Sequence, residues 1–379
     1  MSTKILVIDL ETTIYNNGSF SDPRNSVYFI GAFDGKNTFG FYPQHDPGWK
    51  DKLQQTIDSY DLLVGHNIKF DLHWLSKLGI TYTTHSIRDT SVIEYIIQKQ
   101  NIKFPSLNYC AETRLNKKKL DTVQLEYWDQ GINTDLVPME LLEEYCLKDC
   151  ILTYEVYQSQ LKDVEPHQTA LISISCQDIL VLLEMEQNGM KYDRESSLKQ
   201  AADLEKRIEE IQEKLNIHHN NVPNFNWASN DHLSCLLYGG CIRDVVYIPK
   251  GIYKTGERKG QVKLGKEVRE YHLPRFYEPL KGSELKKEGY YSVEEDTLLK
   301  LKGGSKKLLD GILEIKKLQK DVNTYLRGLP NKQDEGNYDK NYIYGQFSQV
   351  TTRTGRLSSL KPNLQNLSDN ALRHFTSRY

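Results

Sequence analysis

Apolar and polar positions follow two rhythms along this chain, and the change falls near Pro166. The run Lys4-Ile-Leu-Val-Ile-Asp9 is short, continuous and apolar, which predicts a buried strand. Ser26 to Gly31 and Thr38 to Tyr42 predict its antiparallel neighbours, and Asp61 to Gly65 a further short strand. A helix is expected from about Phe70 to Leu78, stopped by Gly79. Pro138 suits the first turn of another helix reaching about Leu161, because Leu141, Leu142, Tyr145, Asp149, Leu152 and Val156 recur at helical spacing. Strands first, then strand and helix in alternation, describe an α/β domain with a mixed sheet.

Beyond Pro166 the period is helical. Ala170 to Gln187 is apolar and closes at Gly189; Arg194 to Leu215 repeats Leu204, Ile208, Ile211 and Leu215. Ser305 to Leu326 carries Leu308, Ile312, Ile315, Val322 and Leu326 on one side, so the long helices are expected to pack as an antiparallel pair. Between them, Lys250 to Arg275 holds eight Lys or Arg against three Glu. With Thr255-Gly256 and Lys259-Gly260 as turn signals, it reads as one or two exposed hairpins.

Charge changes this picture little: 49 Lys and Arg against 51 Asp and Glu leave a net −2, so contact with nucleic acid would rest on local basic patches. The 24 tyrosines outnumber Phe and Trp together and offer rings that can stack on bases. Cys110, Cys146, Cys150, Cys176, Cys235 and Cys241 form no C-x-x-C pair and have no His at zinc spacing, which predicts reduced, mostly buried thiols. No stretch approaches the ~20 apolar residues of a membrane helix, and Ile5 to Ile8 is too short for a signal peptide, so a cytoplasmic protein without a membrane is expected.

The acids carry the chemistry. Asp9 and Glu11 stand two apart at the end of the first strand and so point to one face. Asp71, in Gly65-His-Asn-Ile-Lys-Phe-Asp71, follows another strand at a helix start, where it also reads as an ordinary helix-end acid. Asp149 lies one helical turn after Tyr145. Four acids from three segments are the hard oxygen donors that two divalent ions need; Mg²⁺ is the expected metal and Mn²⁺ its substitute. Cys146 and Cys150 share the helix of Tyr145 and Asp149 but have no activating His nearby, and read as core thiols.

In these motifs, Asp9-Leu-Glu11-Thr12-Thr13, Gly65 to Asp71 and Tyr145-x-x-x-Asp149, the chain resembles the DEDDy exonucleases in their polymerase-associated branch. Arg88-Asp-Thr90 and Ser106 to Leu115 also fit. The resemblance implies a ribonuclease H-like domain in which Asp9 bridges two metals, Glu11 and Asp149 complete one site, and Asp71 supports the other through water. It implies too that Tyr145 positions the attacking water, and that Thr12 and Asn67 contact the terminal nucleotides of a single-stranded 3′ end.

Val350-Thr-Thr-Arg-Thr-Gly-Arg-Leu-Ser-Ser-Leu-Lys-Pro-Asn-Leu-Gln-Asn-Leu367 closely resembles the family A DNA polymerase motif T-x-T-G-R-L-S-S-x-x-P-N-L-Q-N, which lies along the minor groove of primer-template DNA. Thr354, Arg356, Asn363, Gln365 and Asn366 are its candidate DNA contacts, suited to acceptors that every base pair presents. Leu183 to Asp193, Asn226 to Leu233 and Leu318 to Tyr325 resemble other parts of that family, and Lys316, Lys317 and Lys320 are candidate phosphate contacts. The expected organisation is an exonuclease domain at 1–165, a mainly helical thumb at 166–340 with a basic insertion near 243–290, and the start of a palm at 341–379. The insertion is longer than the family's usual thumb connection, and Ser368 stands where the family commonly has proline.

The resemblance runs out at Ala371 to Tyr379, before the family's first catalytic aspartate. It therefore implies 3′-5′ exonuclease activity here, and DNA synthesis only with a separate chain that carries the remaining palm and fingers. A non-catalytic, DNA-binding assembly half of a split polymerase is the alternative. An RNA-trimming exonuclease would account for the acids but not for Thr354 to Ser359. The start of the chain directly at the exonuclease resembles bacteriophage replicative polymerases, which implies a bacterial host cytoplasm.

Overall fold

The structure, a computed structural model, describes residues 3–219, 222–257, 259–335 and 339–377. Packing divides it into two units. One contains the chain up to Asp193, Asn331–Leu367 and the residues from Phe375; the other contains Arg194–Pro330 and Ser368–His374.

The first unit is built on a mixed sheet of five strands, β1 (Ile5–Thr12), β2 (Val27–Phe33), β3 (Thr38–Phe41), β4 (Leu62–Gly65) and β5 (Ser86–Asp89), in the order β3-β2-β1-β4-β5. β1 runs antiparallel to β2 and parallel to β4, and β5 extends the parallel side. Both expected neighbours of the first strand form, but only β2 pairs with it; β3 pairs with β2. Helices α1 (Trp49–Asp58), α2 (Lys69–Lys77), α3 (Thr90–Ile97), α4 (Leu107–Leu115), α5 (Thr122–Glu126) and α6 (Met139–Asp163) follow in chain order. Leu6, Val7, Ile8, Ile30, Leu63 and Val64 fill the core between sheet and helices.

Of the stripe that the spacing predicts, α6 buries Leu142, Tyr145, Asp149, Leu152 and Val156 and half-buries Leu141, and Cys146 and Cys150 are buried beside them. It comes unusually close to the sheet at Gly31, where a Cβ would lie 2.8 Å from Cys146 Sγ and 3.2 Å from Cys150 Sγ. Glycine on the strand and thiols on the helix thus bring α6 up against β1, since Gly31 is the register partner of Asp9.

The division expected near Pro166 is not where the packing separates. Helix α7 (Pro166–Asn188), started by a capping box between Glu165 and Gln168, inserts Ile172, Cys176, Ile179 and Leu183 into the first unit's core. Contrary to the reading of the sequence, α7 is long and apolar enough to cross a membrane by length and composition. Its buried Glu186 explains its place in a protein core instead: the carboxylate takes Lys69 Nζ at 2.5 Å, His73 Nε2 at 2.6 Å and the Phe347 amide at 2.6 Å. The stretch expected to begin a separate palm is held to the same unit by that network. Phe104 N donates to Val350 O at 3.0 Å, Gln349 Nε2 to Ser175 O at 3.0 Å, and Tyr95 OH to Thr352 O. Strand β6 (Met190–Lys191) pairs with Tyr342–Ile343, and Gln346–Ser348 forms a hairpin with Ser358–Leu360.

The second unit joins α8 (Arg194–Leu215), α9 (Asn230–Tyr238), α10 (Glu295–Leu298) and α11 (Lys306–Lys320), which continues as a π-helical turn over Asp321–Leu326. α8 and α11 are antiparallel: Ser197 bonds Leu326, whereas Leu215 lies against Gly311. Lys317 and Lys320 are exposed, while Lys316 is half-buried with Nζ 3.2 Å from Asn230 Oδ1. The basic stretch forms one hairpin rather than two, and a longer one: β7 (Gly239–Ile252) pairs with β8 (Val262–Arg275). Cross-strand pairing also sets donor atoms of Cys241, Glu270 and His272 within 4.8 Å, a grouping that linear spacing could not show; Glu270 is engaged there by Arg243 at 2.9 Å.

Candidate active site

Parallel pairing of β4 with β1 ends at Val7, whereas antiparallel pairing with β2 continues to Thr12. Asp9 and Glu11 therefore lie within β1 rather than at its end, in the part whose β4 side is open. The start of α2 fills that side, and Asp71 in its first turn accepts the Leu10 amide at 3.1 Å. Asp149 arrives from α6, close enough for its charge and that of Asp71 to act on Glu11. The four sequence-predicted acids thus gather around Glu11: donor atoms of Asp9, Glu11 and Cys146 lie within 4.8 Å of one another, Asp71 and Asp149 are near enough to act by charge, and Glu11, Asp71, Asp149 and Tyr145 are buried.

Electrostatics at this point are unfavourable to negative charge. Burial, followed by the charge of Asp9, holds Glu11 and Asp71 well above the usual carboxylate range. Burial also raises Asp9, and pushes Asp149 up to about 7 although Lys119 opposes the shift. Burial likewise raises the Tyr145 hydroxyl. Asp149 Oδ1 is buried with no hydrogen-bond partner among the described residues. A cluster of desolvated, mutually repelling oxygens with one unsatisfied atom has the character of a divalent-cation site, and the residues present fit Mg²⁺ or Mn²⁺.

Lys119 escaped the reading of the sequence, as did the contact of Cys146 with Asp9 and the bonds that Asp89, in the Arg88-Asp-Thr90 segment, makes. Lys119 forms an ion pair with Asp149 Oδ2 and lies over the Tyr145 ring, 4.7 Å from its centroid. Burial would lower its pKa, but the charges of Asp149 and Asp9 raise it. It sits in the run Lys117-Lys118-Lys119 after α4, whose pattern does not distinguish one lysine from the next. Cys146 Sγ donates to Asp9 O at 3.4 Å and lies 3.6 Å from Asp9 Oδ2. Asp89 caps α3 through the Ser91 and Val92 amides and also accepts the Asn67 and Ile68 amides at 3.1 and 3.0 Å, fixing the loop that leads into Asp71.

Asn67 is exposed in a left-handed conformation, φ +59°, which Asn tolerates. Thr12 is buried, with Oγ1 facing Gly18. A cleft of about 710 Å³ is lined by Phe20, Asn67, Phe70, Lys119, Phe347 and Lys361, among others, so the acid cluster's own lysine forms part of its wall. The second candidate set lies on the 346–367 segment, apart from the acids. Thr354, Arg356, Asn363, Gln365 and Asn366 are all exposed. Several are partly used at home: Gln365 Oε1 accepts the Ser359 amide at 3.1 Å, Asn363 Oδ1 accepts the Gln365 amide at 3.1 Å, Thr354 Oγ1 donates to Thr352 Oγ1 at 3.4 Å, and Asn366 too has a partner.

With EDTA present, the titration of these acids should govern stability. Asp149 has its folded pKa raised to about 7 from 3.8, so its contribution to stability is whole below pH ~4 and is lost as pH rises through about 7. Glu11 and Asp71 act in the same direction. The melting temperature in EDTA is expected to fall by several degrees between pH 5 and pH 8, and added Mg²⁺ to raise it more at pH 8 than at pH 5. A melting temperature that rises over this range would contradict the burial of the acids.

A ribonuclease H-like sheet with acids converging beyond its parallel strands, joined to an antiparallel helical unit, is the class of a nuclease linked to a nucleic-acid polymerase. Residues 2–165 match the 3′-5′ exonuclease family and residues 194–378 match DNA polymerase family A. The chain belongs to the family A DNA polymerases and carries their 3′-5′ exonuclease domain. It is 27% identical over 308 residues to DNA polymerase I of Synechocystis, covering 79% of this chain and 26% of that protein. It is 25% identical over 331 residues to the DNA polymerase of Bacillus phage SP01, covering 83% and 35%. The chain thus spans about a quarter to a third of the length of these relatives. Among solved structures, the POL domain of Pol1 from M. smegmatis, in complex with DNA primer-template and dNTP, shares the fold at a TM-score of 0.67 and 15% identity, over 98% of this chain and 54% of that one.

Proposed function

We propose that this chain removes 3′-terminal nucleotides from DNA as the proofreading exonuclease of a family A DNA polymerase. The observation that carries the reading is the meeting of Asp9, Glu11, Asp71 and Asp149, from three separate segments, at one buried point with an unsatisfied carboxylate oxygen. Asp9, Glu11 and Asp149, with Asp71 acting through water, would hold two divalent ions, which when bound make water acidic and stabilise charge on a departing 3′ oxygen.

The chain's own residues do the rest. Tyr145, one turn before Asp149 on α6, orients the attacking water with its hydroxyl, which burial keeps protonated. Thr12 and Asn67 grip the terminal nucleotides, and Asp89 keeps the Asn67 loop in place. Lys119 neutralises part of the acid cluster and lines the cleft beside it. Cys146 steadies the Asp9 carboxylate.

In the same reading residues 1–165 are the exonuclease, 166–340 the thumb and 341–379 the start of the palm. Thr354, Arg356, Asn363, Gln365 and Asn366 face the minor groove of primer-template DNA. Synthesis needs the rest of a palm and the fingers, joined to this chain or separate from it, and the work is done in a bacterial host cytoplasm. The alternative of a non-catalytic assembly half draws no support from the comparisons, and the gathered acids favour catalysis.

Matched DNA and RNA oligonucleotides of one sequence test the substrate. In Mg²⁺ the DNA strand is expected to shorten from its 3′ end at least roughly tenfold faster, a difference of ~1.4 kcal/mol in the barrier. Equal or faster loss of RNA would overturn the polymerase-linked assignment.

A further inference from the structure

The β7–β8 hairpin is longer than its core requires. Ile242 and Leu273 bury its root, but from there outward Val245, Tyr247, Ile252, Val262, Leu264 and Val268 are exposed. From Ile242 to Ile252 the free part runs ten residues, or about 33 Å of strand, close to one helical turn of B-form DNA at ~34 Å. An isolated two-stranded ribbon is marginally stable, so its β-branched and aromatic cross-strand pairs, such as Val245 with Val268, maintain its shape without a core.

Charge is sorted along this length. Near the root each arginine has an acid: Arg243 with Glu270 at 2.9 Å, Arg269 with Glu267 at 2.9 Å, Arg275 with Glu278 at 3.0 Å. The outer part, 249–266, contains Lys250, Lys254, Arg258, Lys259, Lys263 and Lys266 against Glu257 alone. Lys250, Lys254, Lys259 and Lys263 are exposed and make no ion pair among the described residues. A ribbon stabilised by surface charge pairs would distribute acids to its tip as well. Here Glu257 is the one acid outward of Glu267, which stands opposite Val246.

We propose that the β7–β8 ribbon is a DNA-gripping arm whose outer lysines bind backbone phosphates of duplex DNA. The proposal rests on the reading that the chain handles primer-template DNA, and it assigns the arm a task separate from hydrolysis. Phosphate contacts carry no sequence information, which suits an arm that must hold any duplex. Charge complementarity selects this occupant.

The test is binding of the whole chain to a fluorescein-labelled DNA duplex about three helical turns long, in EDTA and across a salt series. Replacing Lys250→Gln, Lys254→Gln, Lys259→Gln and Lys263→Gln together is expected to weaken binding at least roughly tenfold near 0.1 M salt. It should also reduce the slope of log affinity against log salt by about 2 to 4, at ~0.9 per phosphate contact. The same variant should hydrolyse single-stranded DNA at the wild-type rate, which shows that it is folded. A Val245→Thr, Val268→Thr variant should bind duplex normally. Unchanged affinity and slope in the lysine variant would overturn the arm while leaving the primer-template reading intact. Loss of binding in the valine variant alone would overturn the arm in favour of an apolar docking face. Failure of the wild-type chain to bind duplex, with single-strand hydrolysis intact, would overturn the arm and the primer-template reading together.

Discussion

Replacing Asp9→Ala and Glu11→Ala together is expected to lower 3′ hydrolysis of single-stranded DNA by roughly four orders of magnitude, the equivalent of about 5.5 kcal/mol in the barrier. The size follows from what the two carboxylates are placed to do. They share one face of β1 in the stretch that β4 leaves open, and burial raises both although Lys119 opposes it and, at Asp9, Cys146 and the Leu10 amide do too. Removing them takes away the donors for the ions, not a single hydrogen bond. The fold should survive and its metal-free form should gain stability at pH 8, because two buried acids that oppose folding when ionised are gone. A variant that unfolds, or that retains a tenth of the wild-type rate, would contradict this account of the pair.

Replacing Glu186→Ala is expected to cost about 3–5 kcal/mol of stability. Glu186 is buried at the end of α7 and accepts from Lys69, His73 and the Phe347 amide. Burial alone would raise its pKa, but the bonds from His73 and Lys69 lower it, so the carboxylate is ionised and in use. Without it the Lys69 ammonium keeps only the Phe347 carbonyl, and the Phe347 amide loses its acceptor. The 346–367 segment should then loosen, because Phe347 has its amide on Glu186 and its carbonyl on Lys69. Urea denaturation gives the stability change, and faster proteolysis between Gln346 and Leu367 reports the loosening; a loss under about 1 kcal/mol would contradict the role assigned to the network.

Both cases bear on how far the sequence could be read. Asp9 with Glu11, and Tyr145 with Asp149, were legible as pairs because strand and helix spacing decide which way a side chain points, whereas Asp71 entered through the resemblance, since by itself it reads as an ordinary helix-end acid. The mixed sheet and the long α6 and α8 were legible for the same reason. Glu186 was not, because its partners Lys69, His73 and Phe347 are distant in sequence and nothing local marks an acid near the end of an apolar helix as buried. That network, the apolar face of α7 and the bonds at Gln349, Val350 and Thr352 together place α7 and the 346–367 segment in the first unit, away from the boundary that the change of period suggests. Lys119 was hidden in a run of lysines, of which Lys117 turns to Glu155 and Lys119 to Asp149. Cross-strand neighbours were equally hidden: the sorting of charge along β7 and β8 exists only once the register pairs Arg243 with Glu270.

The most direct test of the central claim is digestion of a 5′-labelled single-stranded DNA oligonucleotide in Mg²⁺ by the wild-type chain, with EDTA and the Asp9→Ala, Glu11→Ala variant alongside. The account predicts a descending ladder of products, lost both in EDTA and in the variant; an intact oligonucleotide with folded, metal-loaded protein, or a ladder that persists in the variant, would contradict it.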